Sequence, residues 1–299
     1  MADVAEKGAA AIPKLAEQKE RKLEKDRLPV VDEEIQGDEK KYKLKQVLGD
    51  GGYGTVFLSE DGQKPVAVKT EKYSKSMLHI EVGVLKAANA AKAKHFCELI
   101  DYGSNKPEYV YVVMTLLFKD LHKLRSEMHE RKFTLSTSIR IAMQALRAIE
   151  ELHKVGYISR DIKPGNFAPG RHCNKQSKII FLYDFGLARK YVDKDLSRRD
   201  DVESWFYMSV EMLRGTLPWR LVTDRNAVRA AKQAARAAGR IQFLFETPKQ
   251  FDAILTMVDS YNFESQPDYD KMHSLLDAVS FIFHSDLSQA YYESESYAQ

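Results

Sequence analysis

The amino-acid sequence predicts an α+β chain in two lobes: a small, mostly antiparallel β lobe with one helix, then a larger, mainly helical lobe. Three observations predict it. Short β-type runs crowd the stretch from Tyr42 to Leu116, and after Phe118 apolar residues recur at helical spacing. The 299 residues, 44% hydrophobic and 30% charged, are enough to bury one large core or two smaller ones.

Taken in order, residues 1–40 are rich in Ala, Lys and Glu and poor in large apolar side chains. They read as a mobile charged arm, because they bury too little surface to offset the entropy of ordering. The small lobe, 41–117, contains the runs "YKLKQVLG", "TVFLSE", "PVAVK", "CELIDYG" and "YVYVVMTL", with a helical interval around Met77 to Ala88. The helical lobe covers 118–285 and leaves 286–299 as a short polar tail. In it Ile139, Ala142, Met143, Leu146, Ile149 and Leu152 fall on one helical face behind the candidate caps Ser136 and Thr137, and Gly156 supplies a stop. A second segment, Val202 to Leu213, is apolar on nearly every side through Trp205, Phe206, Tyr207 and Met212, and reads as a buried helix capped by Asp200 or Asp201. No internal repeat is visible.

Composition removes several classes of function. The 46 Lys and Arg against 43 Asp and Glu, a net +3, are too balanced to indicate nucleic acid or a membrane surface. Cys97 and Cys173 stand far apart without metal-ligand spacing, which suits a reducing compartment, the cytoplasm or the nucleus. The N-terminus lacks an apolar signal core and no run is long enough to span a bilayer, so secretion and membrane insertion are not expected.

Four motifs carry the chemistry. "LGDGGYGTVF" sets Gly49, Gly51 and Gly54 in a GxGxxG turn that runs into a strand rather than a helix, the context of a β-hairpin whose backbone N–H groups cover phosphates. The plain alternative is a glycine-rich hairpin needing positive φ. "VAVK" ends in Lys69, whose cation could hold phosphate oxygens if a carboxylate fixed it, and Glu81 on the following helix is the natural partner. "YISRDIKPGN" packs Asp161, Lys163 and Asn166 into a loop that Pro164 and Gly165 keep from becoming a helix. Phosphoryl transfer needs a carboxylate to orient the attacking hydroxyl, a cation near the moving charge and an amide oxygen on a metal, and these residues supply them in that order. Asp184, after the strand "KIIFLY", is a carboxylate placed to coordinate Mg²⁺, with Phe185 packing inward and Gly186 letting the chain turn. The alternative for each loop is an ordinary Asx or Pro turn.

The four motifs in this order on these elements resemble the eukaryotic protein kinases, which implies the two-lobed protein kinase fold with ATP and Mg²⁺ held between lobes. "DFGLAR", "SRRDDVESW", "GTLPW" and "PDY" at Pro267 to Tyr269 are similar to the casein kinase I superfamily, in the manner of its tau-tubulin-kinase-like and nematode-expanded branches. The resemblance covers about Tyr42 to Phe283. It implies a monomeric protein serine/threonine kinase with acidic or already phosphorylated protein substrates, and no nucleic-acid or membrane partner. It implies ATP contacts from Gly49, Gly51, Gly54, Val56, Ala67, Lys69 and Glu81, with Met114 as gatekeeper and Thr115 to Leu117 as the adenine-binding hinge. Asp161 and Lys163 would be catalytic, Asn166 and Asp184 metal ligands, and Asp201 the acid that braces the catalytic loop.

Two departures from that family stand out. Ser159 occupies a position where the family usually carries His. The bridge from Asp184 to Asp201 lacks the longer activation segment that grips a substrate chain; at about 3.3–3.6 Å per residue it is long enough to connect, but Asp193, Lys194, Asp195, Ser197, Arg198 and Arg199 suit a solvated loop rather than a docking shelf. The competing expectation is therefore a non-catalytic, kinase-like module that binds nucleotide or protein. Finally, Arg225, Arg229, Lys232, Arg236 and Arg240 fall on one face of an Ala-rich segment, a cationic ridge that would attract acidic partners or simply face solvent.

Overall fold

Along a strand, successive side chains point to opposite faces, so the pairing register decides which residues of the small lobe share a surface. The computed structural model describes residues 26–52, 54–62, 64–191 and 197–280. Its first seven strands are β1 (Glu34–Gln36), β2 (Lys41–Lys43), β3 (Gln46–Asp50), β4 (Gly54–Asp61), β5 (Lys64–Lys72), β6 (Leu99–Asn105) and β7 (Tyr109–Thr115). Five form an antiparallel sheet in the order β3-β4-β5-β7-β6. Phe57 pairs with Val68 and Val68 with Val113, so these three share one face; with Val66, Tyr109 and Tyr111 they close a core over Ile35, Tyr42 and Leu44. The opposite face carries Val56, Ala67, Lys69, Val112 and Met114, through the pairs Val56 with Lys69, Ala67 with Met114 and Lys69 with Val112.

The charged arm expected up to Lys40 ends earlier. Glu34–Gln36 pairs with Lys41–Lys43 as a separate hairpin, and Ile35 is 1% exposed in the core. Three residues of alternation, with one large apolar side chain, are too short to register as a strand in sequence, yet burying Ile35 and Tyr42 together stabilises the hairpin. Residues 1–25, like the tail 286–299, lie outside the described residues.

The chain divides into two compact units, Met1–Gly83 with Glu98–Leu116, and Val84–Cys97 with Leu117–Gln299. Val84–Cys97, expected in the small lobe, groups with the helical unit: Phe96 bridges to Leu182 and stacks on Phe185, and the His95 ring bonds the Ile180 carbonyl at 2.7 Å. Helix α1 (Leu78–Ala90) begins in the first unit. The second contains α2 (Leu121–Glu127), α3 (Leu135–Lys154), α4 (Arg198–Arg214), α5 (Arg225–Arg236), α6 (Arg240–Phe243), α7 (Gln250–Ser260) and α8 (Tyr269–Ser280). Among the described residues no helix is long and apolar enough to cross a membrane.

The apolar face of α3 meets the buried helix α4, where Trp205 is 1% exposed and its indole N–H donates to the Ala142 carbonyl at 2.8 Å. Phe206, Tyr207, Trp219, Phe243 and Phe251 pack ring against ring beside it. Both caps differ from expectation. Thr134, not Ser136 or Thr137, caps α3 by accepting the Thr137 N–H, so the two candidates lie inside the helix. Ser197 stands at the N-cap of α4, and Asp200 reaches back to its N–H at 2.8 Å, which frees Asp201 for another task.

Two short ladders shape the loops of this unit. Strand β8 (Tyr157–Ile158) pairs with β11 (Arg189–Lys190), and β9 (Phe167–Pro169) with β10 (Ile180–Leu182), all antiparallel. They clamp the loop 159–166 at both ends and set the segment after Leu182 beside it.

Candidate active site

Each unit carries its own group of predicted site residues. In the first, the pairing register puts Val56, Ala67, Lys69 and Met114 on one sheet face, away from the hairpin core. The Lys69 ammonium donates to Glu81 at 2.7 Å; the Glu81 side chain is 2% exposed and that of Lys69 15%. A carboxylate this buried demands a paired cation, so the pair fixes the ammonium instead of leaving it to wander in solvent. Gly49 faces Val56 across β3 and β4, and Gly51 and Gly54 exchange backbone hydrogen bonds at 3.0 and 3.3 Å. Neither Gly49 nor Gly51 has positive φ, which removes the plain alternative for those two positions. A Cβ on Gly49 would meet no atom within 4 Å, so the fold's own packing does not require glycine there. Such a hairpin suits close approach by a phosphate. At the expected hinge, the Thr115 N–H is committed to the Glu98 carbonyl at 3.2 Å, so that amide is not available to a base.

In the second unit, Lys163 Nζ donates to Asp161 Oδ2 at 2.7 Å, and Asn166 Nδ2 donates to the same oxygen and to the Asp161 carbonyl, each at 2.9 Å. One carboxylate oxygen is thus held by two donors, while Oδ1 accepts no hydrogen bond among the described residues. Asn166 is 3% exposed, and using its amide nitrogen on Asp161 leaves its Oδ1 as a free hard-oxygen ligand. Tyr183 ties the next segment in: its N–H donates to the Asn166 carbonyl at 3.0 Å and its hydroxyl to the Gly165 carbonyl at 2.6 Å. Burial, reinforced by the charges of Asp120 and Asp184, pushes that hydroxyl well above the ordinary tyrosine range and keeps it a donor. Asp184 follows directly, and Phe185, 1% exposed, stacks on Phe96 with centroids 5.5 Å apart.

The backbone corrects one assignment. The turn after β10 is made by Asp184, at φ 63°, and Gly186 has no positive φ. Arg160, beside Asp161, is also left-handed, at φ 66°. A non-glycine residue held there costs about 1–3 kcal/mol and persists where surrounding bonds over-determine it. Those bonds are present: Asp201, named by resemblance, accepts the N–H groups of Ser159 and Arg160 at 2.7 and 2.8 Å. Sequence reasoning missed what lies behind Asp201. His153 bonds it at 2.9 Å, and Tyr269 bonds His153 at 2.5 Å. A signal was available for His153: four residues after Ile149, it continues the apolar face of α3. At Ser159 the hydroxyl turns inward and accepts the Asp161 N–H at 3.4 Å.

Among the described residues no cluster of three or more His, Cys, Asp or Glu could hold a metal. The donor set nonetheless fits Mg²⁺, which takes one or two hard protein oxygens and completes its shell with water and substrate phosphates. The cationic ridge does not persist as expected. Helix α5 ends at Arg236 and Arg240 starts α6; Arg236 pairs with Glu203 and Asp259, Arg240 with Asp252 and Asp259, and Lys232 lies over the Tyr207 ring, leaving Arg225 and Arg229 exposed. Of the bridge, Ser197 to Arg199 enter α4, while Asp193, Lys194 and Asp195 lie outside the described residues.

Comparison with known proteins gives this geometry its context. Residues 42–229 match the family described as protein kinase domain. The chain is 32% identical over 280 residues to the Caenorhabditis elegans serine/threonine-protein kinase spe-6, covering 81% of this chain and 73% of that protein. A Dictyostelium discoideum protein named "Probable serine/threonine-protein kinase" is 31% identical over 261 residues, 77% of this chain and 51% of that protein, so the chain spans about half of that relative's length. With a family match over most of its length, a β-sheet first region, a mainly helical second one and relatives of this kind, the chain belongs to the protein kinase domain family.

Proposed function

We propose that the chain is an ATP- and Mg²⁺-dependent protein serine/threonine kinase of the casein kinase I type, acting as a monomer on acidic or already phosphorylated protein substrates. The observation that carries the reading is Asp161: one oxygen pinned by Lys163 and Asn166, the other open to a substrate hydroxyl. In that role Asp161 orients the attacking hydroxyl and Lys163 sits beside the moving charge. Asn166 and Asp184 would hold Mg²⁺, which when bound supplies charge neutralisation on the phosphate oxygens. Lys69, fixed by Glu81, meets phosphate oxygens under the turn at Gly49, Gly51 and Gly54, and Val56, Ala67, Met114, Thr115 and Leu117 contact the base. The branch assignment rests on "SRRDDVESW", "GTLPW" and "PDY"; the acidic preference rests on that likeness and on the exposed Arg225 and Arg229.

One observation favours a second reading, a non-catalytic module. Only Tyr191 to Leu196 join β11 to the cap Ser197, too little chain for a substrate shelf, and positioning supplies most of the rate in phosphoryl transfer. Two measurements divide the readings. Mg²⁺-ATP at about 100 times its Kd should stabilise the fold by about 2.7 kcal/mol, and Asp184→Asn should shrink that shift; an unmoved melting temperature would remove the nucleotide assignment. Phosphate incorporation into casein should vanish in Asp161→Asn. If the parent chain incorporates no more than that variant while still binding Mg²⁺-ATP, the module reading holds.

A further inference from the structure

A buried line of hydrogen bonds runs from α8 to the loop that carries Asp161. The Tyr269 hydroxyl meets His153 Nδ1 at 2.5 Å, His153 Nε2 meets Asp201 Oδ2 at 2.9 Å, and Asp201 accepts the N–H groups of Ser159 and Arg160. The side chains of His153 and Asp201 are each 3% exposed and Tyr269 is 8% exposed, so no water competes for these bonds. For a neutral His153 ring, donor and acceptor counting then assigns the protons. Asp201 takes three hydrogen bonds on its two oxygens, all as acceptor, so the hydrogen of the His153 ring on that side must sit on Nε2. In the neutral ring Nδ1 is left with a lone pair, which needs a donor. Burial pushes the Tyr269 hydroxyl far up and keeps it protonated, so it is that donor.

We propose that Tyr269 is a positioning residue for phosphoryl transfer: its hydroxyl holds His153 in the tautomer with hydrogen on Nε2, and that tautomer fixes Asp201 so that Arg160 stays left-handed and Asp161 stays aimed. The control over the loop therefore originates on α8, through Tyr269. A simpler role, a staple between α8 and α3, would move stability alone. The turnover part of the inference rests on the kinase reading; the spectroscopic part does not.

The test compares the full chain with Tyr269→Phe, which keeps the ring and removes only the hydroxyl, and with His153→Gln, whose amide can donate to Asp201 without choosing a tautomer. Nitrogen-15 spectra should show a single Nε2–H form of His153 in the parent. In Tyr269→Phe that single form should be lost, and the Ser159 and Arg160 amide resonances should move. The kcat should fall about tenfold, the loss expected of one buried hydrogen bond, with KM for ATP within about twofold. Adding Tyr269→Phe to His153→Gln should cost little more than His153→Gln alone, because both act through one line of bonds. A Tyr269→Phe protein that melts lower but keeps the Ser159 and Arg160 resonances and the kcat of the parent would overturn the proposal and leave a staple. If the parent transfers no phosphate, the kinase reading falls by itself, and the resonances alone decide the relay.

Discussion

A Cβ on Gly54 would stand 1.9 Å from the Thr70 carbonyl oxygen, whereas one on Gly49 would meet nothing within 4 Å. The two glycines of one motif are therefore placed differently: strand packing requires the small residue at Gly54, and no described atom of the chain requires it at Gly49. Gly54→Ala must push β4 off β5, at a cost of about 1–3 kcal/mol typical of overpacking, read as a lower urea midpoint. Gly49→Ala should leave that midpoint within about 0.5 kcal/mol and instead weaken Mg²⁺-ATP binding in a nucleotide titration. Unchanged binding in Gly49→Ala would show that the hairpin does not cover phosphates. The motif itself was readable in sequence; this division was not, because it depends on how near the Thr70 backbone lies. The same holds at Asp184, where sequence gives glycine the turn and the backbone assigns it to the acid.

At the scale of elements, helical spacing showed which cations share a face of α5 but not what that face meets. Glu203 on α4 and Asp259 on α7 lie opposite Arg236, at 3.0 and 3.3 Å, and the Tyr207 ring lies 5.4 Å from its guanidinium. Burial works against the charge there, yet Glu203, Tyr207 and Asp259 hold Arg236 above its ordinary range, a sign of net favourable pairing. Arg236→Glu reverses that charge between two acids and should cost about 1–3 kcal/mol, less than a fully buried pair because the side chain remains a quarter exposed. Arg229→Glu, on the exposed part of the same helix, should leave the melting temperature within a degree or so, and should slow turnover of an acidic protein in a salt-sensitive way if that surface meets substrate. Equal melting temperatures for the two variants would mean that the Arg236 contacts contribute nothing. The strands were legible because their alternation and glycine punctuation are local signals: "TVFLSE" falls within β4, "PVAVK" within β5 and most of "YVYVVMTL" within β7. The β1–β2 hairpin and the true caps Thr134 and Ser197 were not, since each is decided by contacts a few residues beyond the window that periodicity samples.

For the whole molecule, the order of motifs along the chain carried the family, while the lines of force inside the helical unit had to be seen in three dimensions. Tyr269, His153 and Asp201 come from three helices far apart in sequence, and no local pattern announces their contact. What the sequence exposes best at this scale is the connection between β11 and α4, whose ends are secured independently of it. Tyr191 donates its N–H to the Gly156 carbonyl, and the Ser197 N–H is taken by Asp200. The closure entropy of a connector between tied ends grows slowly with length, by about 0.6 kcal/mol for each doubling. Inserting six Gly and Ser residues between Asp193 and Lys194 should therefore lower the urea midpoint by about that amount and leave the Mg²⁺-ATP melting shift unchanged. Inserting instead the longer activation segment of a casein kinase I relative should raise phosphate incorporation into casein above the Gly/Ser control, because it restores a surface that positions the substrate chain. A Gly/Ser insertion that unfolds the helical unit would show that the short connection is itself a structural requirement, and equal incorporation by the two insertions would show that a missing substrate shelf is not what limits turnover.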